Sequence, residues 1–113
     1  MATAQFIHDG RSIDYTPGSD VAAGAVVLQT DLIGVAKTPI ASGTLGALAV
    51  EGVFDFPKAA GGSTAIAAGA IVYWDVADQE AKTDDESAAN KLLGKVVKAA
   101  VDADTTVRVL LRQ

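Results

Sequence analysis

Val21-Ala22-Ala23-Gly24-Ala25-Val26-Val27-Leu28 returns later in the chain as Ile66-Ala67-Ala68-Gly69-Ala70-Ile71-Val72-Tyr73, with an apolar or small residue at every matching position. Each copy runs from small residues around a glycine into a β-branched run, the pattern of a turn feeding a short buried strand. If an insertion is allowed in Trp74 to Ala89, the likeness extends: Leu32-Ile33-Gly34 matches Leu92-Leu93-Gly94, and Ala47-Leu48-Ala49-Val50 falls opposite Val107-Arg108-Val109-Leu110. Two readings fit. Either two related β units close on one core, or chance produces the likeness in a chain rich in alanine, valine and glycine. Repetition of this kind specifies a scaffold and not a reaction.

The rest of the chain carries turn signals about every ten residues, with β-branched runs between them, which predicts an all-β fold: a small β-barrel or sandwich of seven to nine short strands. Asp9-Gly10 predicts a tight hairpin between Phe6-Ile7 and Ser12 to Tyr15, because glycine accepts positive φ. Pro17-Gly18 breaks the chain before the first repeat, and Leu45 to Phe56 reads as the best strand, closed by Pro57. Ala59 to Thr64 is a small-residue hinge and a candidate seam near the midpoint. At most one short helix is expected, at Ser87 to Leu93, where Gly94 and Val96-Val97 cut the helical pattern short. Met1 to Gln5 reads as a flexible N-terminal arm on a single β-rich domain spanning residues 1–113.

Composition excludes several function classes. The chain has 113 residues, half of them hydrophobic, a net charge of −5 and no cysteine. Thiol catalysis, disulfides and thiolate metal sites are thereby removed. Basic residues are scattered, with only Lys91, Lys95 and Lys98 near one another, so direct nucleic-acid binding is not expected. No signal peptide or membrane-spanning stretch is legible in the apolar pattern.

Catalytic motifs fare no better. His8 is the single histidine and sits beside Asp9 in a predicted turn, and no serine occupies a Gly-x-Ser-x-Gly elbow. Asp75, Asp78, Glu80, Asp84, Asp85 and Glu86, balanced by Lys82 alone, read as a solvated acidic loop that lacks the donor register and central glycine of an EF-hand. Lys37-Thr38 follows a strand, but Asp31 and Ala36 stand where a P-loop needs glycines. The reading is of a structural protein: no enzyme, no cofactor, no metal. Among the aromatics, Phe54 and Phe56 share one face of an extended strand and serve either as core or as a protein-contact patch. Trp74, next to the acidic loop, is a contact candidate because tryptophan anchors interfaces at low entropic cost.

The succession Phe6-Ile7-His8-Asp9-Gly10, Ala22-Ala23-Gly24, Ile33-Gly34-Val35-Ala36-Lys37, Gly43-x-x-Gly46, Gly52-Val53-Phe54-Asp55-Phe56-Pro57-Lys58-Ala59, Gly69-x-x-Val72-Tyr73-Trp74-Asp75 and Gly94-Lys95 resembles a family of small tailed-phage capsid decoration, or cement, proteins. The family is also labelled "predicted RecA-like phage recombinase". A RecA-type ATPase needs a P-loop and a parallel α/β core, and these residues supply neither. The resemblance implies a β-rich homotrimer on the capsid exterior of the virion, made in the host bacterial cytoplasm, that stabilises the expanded shell by bridging subunits of the phage major capsid protein. It implies no catalytic residue. The alternative it leaves is a DNA-associated accessory protein without ATPase activity. Candidate protein-contact residues are Ala2 and Ala4, small enough for close backbone approach, with Phe6, Phe54, Phe56 and Trp74.

Overall fold

A computed structural model describes residues 4–87 and 89–112. Among the described residues nine strands form: β1 (Ser12–Tyr15), β2 (Val26–Gln29), β3 (Leu32–Val35), β4 (Gly46–Ala49), β5 (Gly52–Pro57), β6 (Ile71–Asp75), β7 (Glu80–Lys82), β8 (Lys91–Lys98) and β9 (Thr106–Leu111). They make two antiparallel sheets, in the orders β1-β4-β3-β2 and β5-β9-β8-β6-β7. The fold is all-β, and because neither sheet closes into a barrel it is sandwich-like.

The two sheets are built alike. Val21 and Ile40 exchange a pair of backbone hydrogen bonds (2.8 and 2.9 Å), as do Ile66 and Ala100 (both 2.9 Å). The chain then turns at a glycine with positive φ, 84° at Gly24 and 87° at Gly69. There the glycine N–H donates across to the neighbouring segment, Gly24 to the carbonyl of Ala36 (2.6 Å) and Gly69 to that of Val96 (2.7 Å). Ala36 donates back to Ala25 (3.0 Å) and Val96 to Ala70 (2.9 Å). From these turns β2 pairs with β3 and β6 with β8, so that Val26 faces Val35, Val27 faces Gly34, Ile71 faces Lys95 and Val72 faces Gly94.

Register carries the equivalence to the remaining strands and shifts it by one residue from the sequence match. Val35 faces Ala49 and Lys95 faces Leu110, so Ala49 corresponds to Leu110 and not to Val109. Ser12 is the partner of Ala49 and Val53 the partner of Leu110. Ser12-Ile13-Asp14-Tyr15 is therefore the counterpart of Val53-Phe54-Asp55-Phe56. In strand order β1, β4, β3 and β2 correspond to β5, β9, β8 and β6, and β7 is the addition that the second unit carries.

Two expectations are corrected. Phe6-Ile7 forms no hairpin with Ser12 to Tyr15; β1 pairs instead with β4, where Ile13 and Tyr15 pack against the Leu48 cluster, a gain that a lone two-stranded hairpin lacks. Leu45 to Phe56 is two strands in different sheets, because Gly52 at φ 137° lets the chain turn out of the first sheet into the second. No helix forms among the described residues, within the expectation of at most one: Lys91 to Leu93 open β8, whose pairing with β6 and β9 overrides local helix propensity.

The main core draws on both sheets: Ile33 and Val35 of β3 share one buried cluster with Phe56, Val72, Trp74, Leu93, Val107, Val109 and Leu111. Phe56 and Trp74 meet with ring centroids 5.9 Å apart at 59°, a tilted arrangement that suits their quadrupoles. A smaller cluster of Ala36, Ile40 and Leu48 fills the other side of the first sheet. Lys58 is buried, and its ammonium donates to the carbonyls of Ala59 (2.7 Å), Asp104 (2.9 Å) and Val101 (3.2 Å), tying the loop after β5 to the loop before β9. The predicted hinge is thus pinned, with Asp102 accepting from the amides of Thr64 and Ala65 as well.

The acidic segment is not simply solvated. Its centre is the β6–β7 hairpin, and the buried carboxylate of Asp75 lies 2.7 Å from Lys82 Nζ, which also meets Asp78 at 2.5 Å. Asn90 closes the segment by donating to the Asp84 carbonyl and to Glu86, both at 2.9 Å. Asp78, Asp84, Asp85 and Glu86 remain exposed. The hydrogen bond from Lys82, helped by the Asp78 backbone amide, lowers the Asp75 pKa from 3.8 to about 2.

Two outcomes follow. A carboxyl depressed by folding stabilises the fold above its unfolded pKa, so the Asp75 contribution is present above about pH 4 and disappears as the pH falls toward 2. Urea midpoints across that range should show Asp75→Asn less stable at pH 7, with the gap to wild type closing by pH 2; a constant gap would remove the pairing as its cause. At the glycines, Gly69→Ala meets no atom within 4 Å and suffers only its positive φ, a loss of about 1–2 kcal/mol. A Cβ on Gly94 would lie 2.0 Å from the Leu110 carbonyl oxygen, so Gly94→Ala should lose on the order of 4 kcal/mol or fail to fold. Equal urea midpoints for the two variants would contradict this.

Candidate functional site

A β-sheet with one face in the core presents alternate residues on its other face. Along β5 and β9 the inward set is Phe54, Phe56, Val107, Val109 and Leu111, which belong to or pack against the main core. The outward set includes Val53 and Leu110, and the register extends it across β8 and β6 as one row: Val53, Leu110, Lys95, Ile71. Leu92, opposite Tyr73, lies beside the row at a bulge in β8. Val53 is 56% exposed, Ile71 46% and Leu92 41%. A shallow hollow of about 290 Å³ lined by Ile71, Leu92, Gly94, Lys95, Leu110 and Arg112 occupies the middle of this face.

Charge divides the face. At the β5–β9 edge, Arg108 grips Asp55 with two bonds of 2.9 and 3.3 Å. This hydrogen bonding holds the Asp55 carboxyl below its ordinary pKa and reciprocally raises the guanidinium's. Lys91 is paired with Asp31 of the β2–β3 turn at 2.9 Å. Lys95 and Arg112 line the hollow itself, so an apolar floor carries two cationic groups in a chain whose net charge is −5. Such a surface suits contact with protein, offering aliphatic area together with two cations that can meet carboxylates.

A second exposed feature precedes β1. Phe6 and Ile7 are 79% and 74% exposed in a segment outside any strand. His8 lies in the same segment, its Nδ1 2.6 Å from the Asp9 carbonyl oxygen. Among the described residues no group of three or more histidines, aspartates or glutamates is placed to hold a metal ion.

The contact candidates separate cleanly. Ala2 lies outside the described residues; Ala4 and Phe6 are exposed in the segment ahead of β1. Phe54 is half-buried against the main core. Phe56 and Trp74, at 1% and 2% exposure, are core residues and present no surface to a partner: alternation along β5 and β6 turns both inward, where each fills space against the other. The residues of the open face, Val53, Ile71, Leu92, Lys95, Leu110 and Arg112, were not singled out by sequence reasoning. The usable signal was the complement of one it did use: if Phe54 and Phe56 point inward, Val53 and Asp55 point out.

No curated protein and no solved structure matches the chain. A family model described as phage cement protein does match, over residues 7–111. That span takes in all nine strands and both copies of the glycine turn. The chain belongs to the phage cement protein family.

Proposed function

We propose that this protein binds the outside of an expanded phage capsid as a homotrimer and stabilises the shell by bridging neighbouring major-capsid subunits. Family membership carries the coarser statement, a capsid cement and decoration role. The finer one is supported by the distribution of exposed apolar residues. Phe6 and Ile7 lead away from β1 on a segment without strand pairing, suited to lie on a shell subunit or add to a sheet edge. The small residues Ala2 and Ala4, in the arm of residues 1–5 just before that segment, permit close backbone approach.

The work is mechanical. Packaged DNA presses outward on the shell, and a trimer that holds several subunits at once turns modest single contacts into a durable clamp through effective concentration. Losing one contact leaves the others to hold the trimer in place while the first re-forms.

The test is co-sedimentation with expanded capsids that lack cement protein. Wild type should saturate a fixed number of sites and raise the temperature at which the shells rupture. The double variant Phe6→Asp/Ile7→Asp should bind at least about tenfold more weakly, while the melting temperature of the free protein stays unchanged because both side chains are exposed. Full binding by that variant would remove the Phe6-Ile7 segment from the mechanism. Failure of wild type to bind shells, together with salt-sensitive binding to DNA, would turn the reading toward an accessory protein.

A further inference from the structure

The two units put equivalent rows of residues in opposite environments. In the first sheet the row Val26, Val35, Ala49, Ser12 corresponds, by register, to Ile71, Lys95, Leu110, Val53 in the second. Val35 is buried in the main core with Ile33 of the same strand, and Val26 and Leu28 pack against that core. Most of that core comes from the second unit of the same chain. The row of the second unit has no such cover: Ile71 and Val53 are about half exposed and the hollow beside them is open. The chain thus contains one instance of this face covered by a related unit at Val26 and Val35, with Ala49 buried beside them and Ser12 exposed at the β1 edge, and one instance uncovered.

We infer that the outer face of the second sheet is a self-association surface, covered in the assembled protein by a second copy of this chain. Three features favour a second copy as the occupant. The face is the counterpart of one that a unit of this same fold already covers. Its row is aliphatic at Val53, Leu110 and Ile71, the kind of side chain that fills interfaces between identical subunits, and is interrupted only by Lys95. Its two cationic groups, Lys95 and Arg112, meet a chain with fourteen carboxylate side chains against nine basic ones, so a copy offers mostly acidic surface. Lys95 stands where the covered row has Val35, and a charge at that point keeps the open face from joining unrelated apolar surfaces while requiring an acceptor on the right one.

This deepens the trimer reading given above and rests on it, so the experiment separates the two. Light scattering during size-exclusion chromatography, at two concentrations spanning about tenfold, reads the mass of wild type, of Val53→Glu/Ile71→Glu and of Leu45→Glu, an exposed apolar position on the link before β4. The inference requires an oligomer for wild type and Leu45→Glu, and a monomer for the face variant with its melting transition still cooperative. An oligomer that survives Val53→Glu/Ile71→Glu overturns the surface and leaves the trimer reading standing. If that same variant also loses binding to capsids, the face belongs to the shell contact instead. A wild-type monomer at both concentrations overturns the self-association surface, and shell binding by that monomer, read by co-sedimentation, would leave the cement role intact. To keep the assignment independent of introduced charge, Ile71→Ser should weaken the oligomer in the same direction, read as a rise in the concentration needed for assembly.

Discussion

A glycine turn at positive φ, with its amide donated to the carbonyl of the neighbouring segment, is the constraint from which both sheets follow. At Gly24 and Gly69 the chain must reverse tightly enough to present its N–H sideways, to Ala36 and Val96, while the residues after it run on as β2 and β6. An L-residue could reach that geometry only against its Cβ. Once the turn is made, the reciprocal bonds between Val21 and Ile40, or Ile66 and Ala100, fix the position of the following segment, and period-two alternation fixes which side chains enter the core. Gly34 and Gly94 answer the same need from the partner strand. They stand opposite Val27 and Val72, where a Cβ would collide with Leu48 on one sheet and the Leu110 backbone on the other.

The two units then diverge for physical reasons that can be named. In the first, Thr30 and Asp31 are all that joins β2 to β3; in the second, the corresponding connection holds β7 and the acidic segment. The added strand lets Ala81 close over Trp74 on the inner side, so the second unit carries the larger core. Inserting so many carboxylates beside a core is tolerable because Lys82 and Asn90 absorb the ones nearest to it, leaving the rest in water where their charge costs little.

How much of this was legible follows from the range of each interaction. The glycine turns, the β-branched runs and the all-β character are local, and the repeat announced them at Val21 to Leu28 and Ile66 to Tyr73. A fourth matched pair, Ile13-Asp14-Tyr15 with Phe54-Asp55-Phe56, is present in the sequence as a repeated alternation of apolar, acid and aromatic residues, but it gains meaning only when β1 and β5 are seen at the same edge of two similar sheets. Sheet changes are harder still. The switch at Gly52 converts one apparently continuous strand into two, and a single flexible residue leaves little trace in hydrophobic periodicity. Burial of Trp74 was misjudged because its sequence neighbours are acidic, whereas its spatial neighbours are Phe56 and Ala81. The open face was invisible for the same reason: Val53, Leu110 and Ile71 are far apart in the chain and become one surface only through the register of β5, β9, β8 and β6.

A chain this size buries only about two-thirds of the surface that its unfolded form exposes, so an arrangement of two small sheets is left with apolar area it cannot cover by itself. For an isolated globular protein that residue of exposed area is a liability. In a member of a cement protein family, that area is available for contact with a partner. Contacts that form only on assembly add their stability to the shell and to the protein together, since anything that binds the folded chain also opposes its unfolding. A rigid antiparallel scaffold without cysteines, set by backbone turns and a pinned acidic hairpin, fixes the register that gathers Val53, Leu110 and Ile71 into one open face.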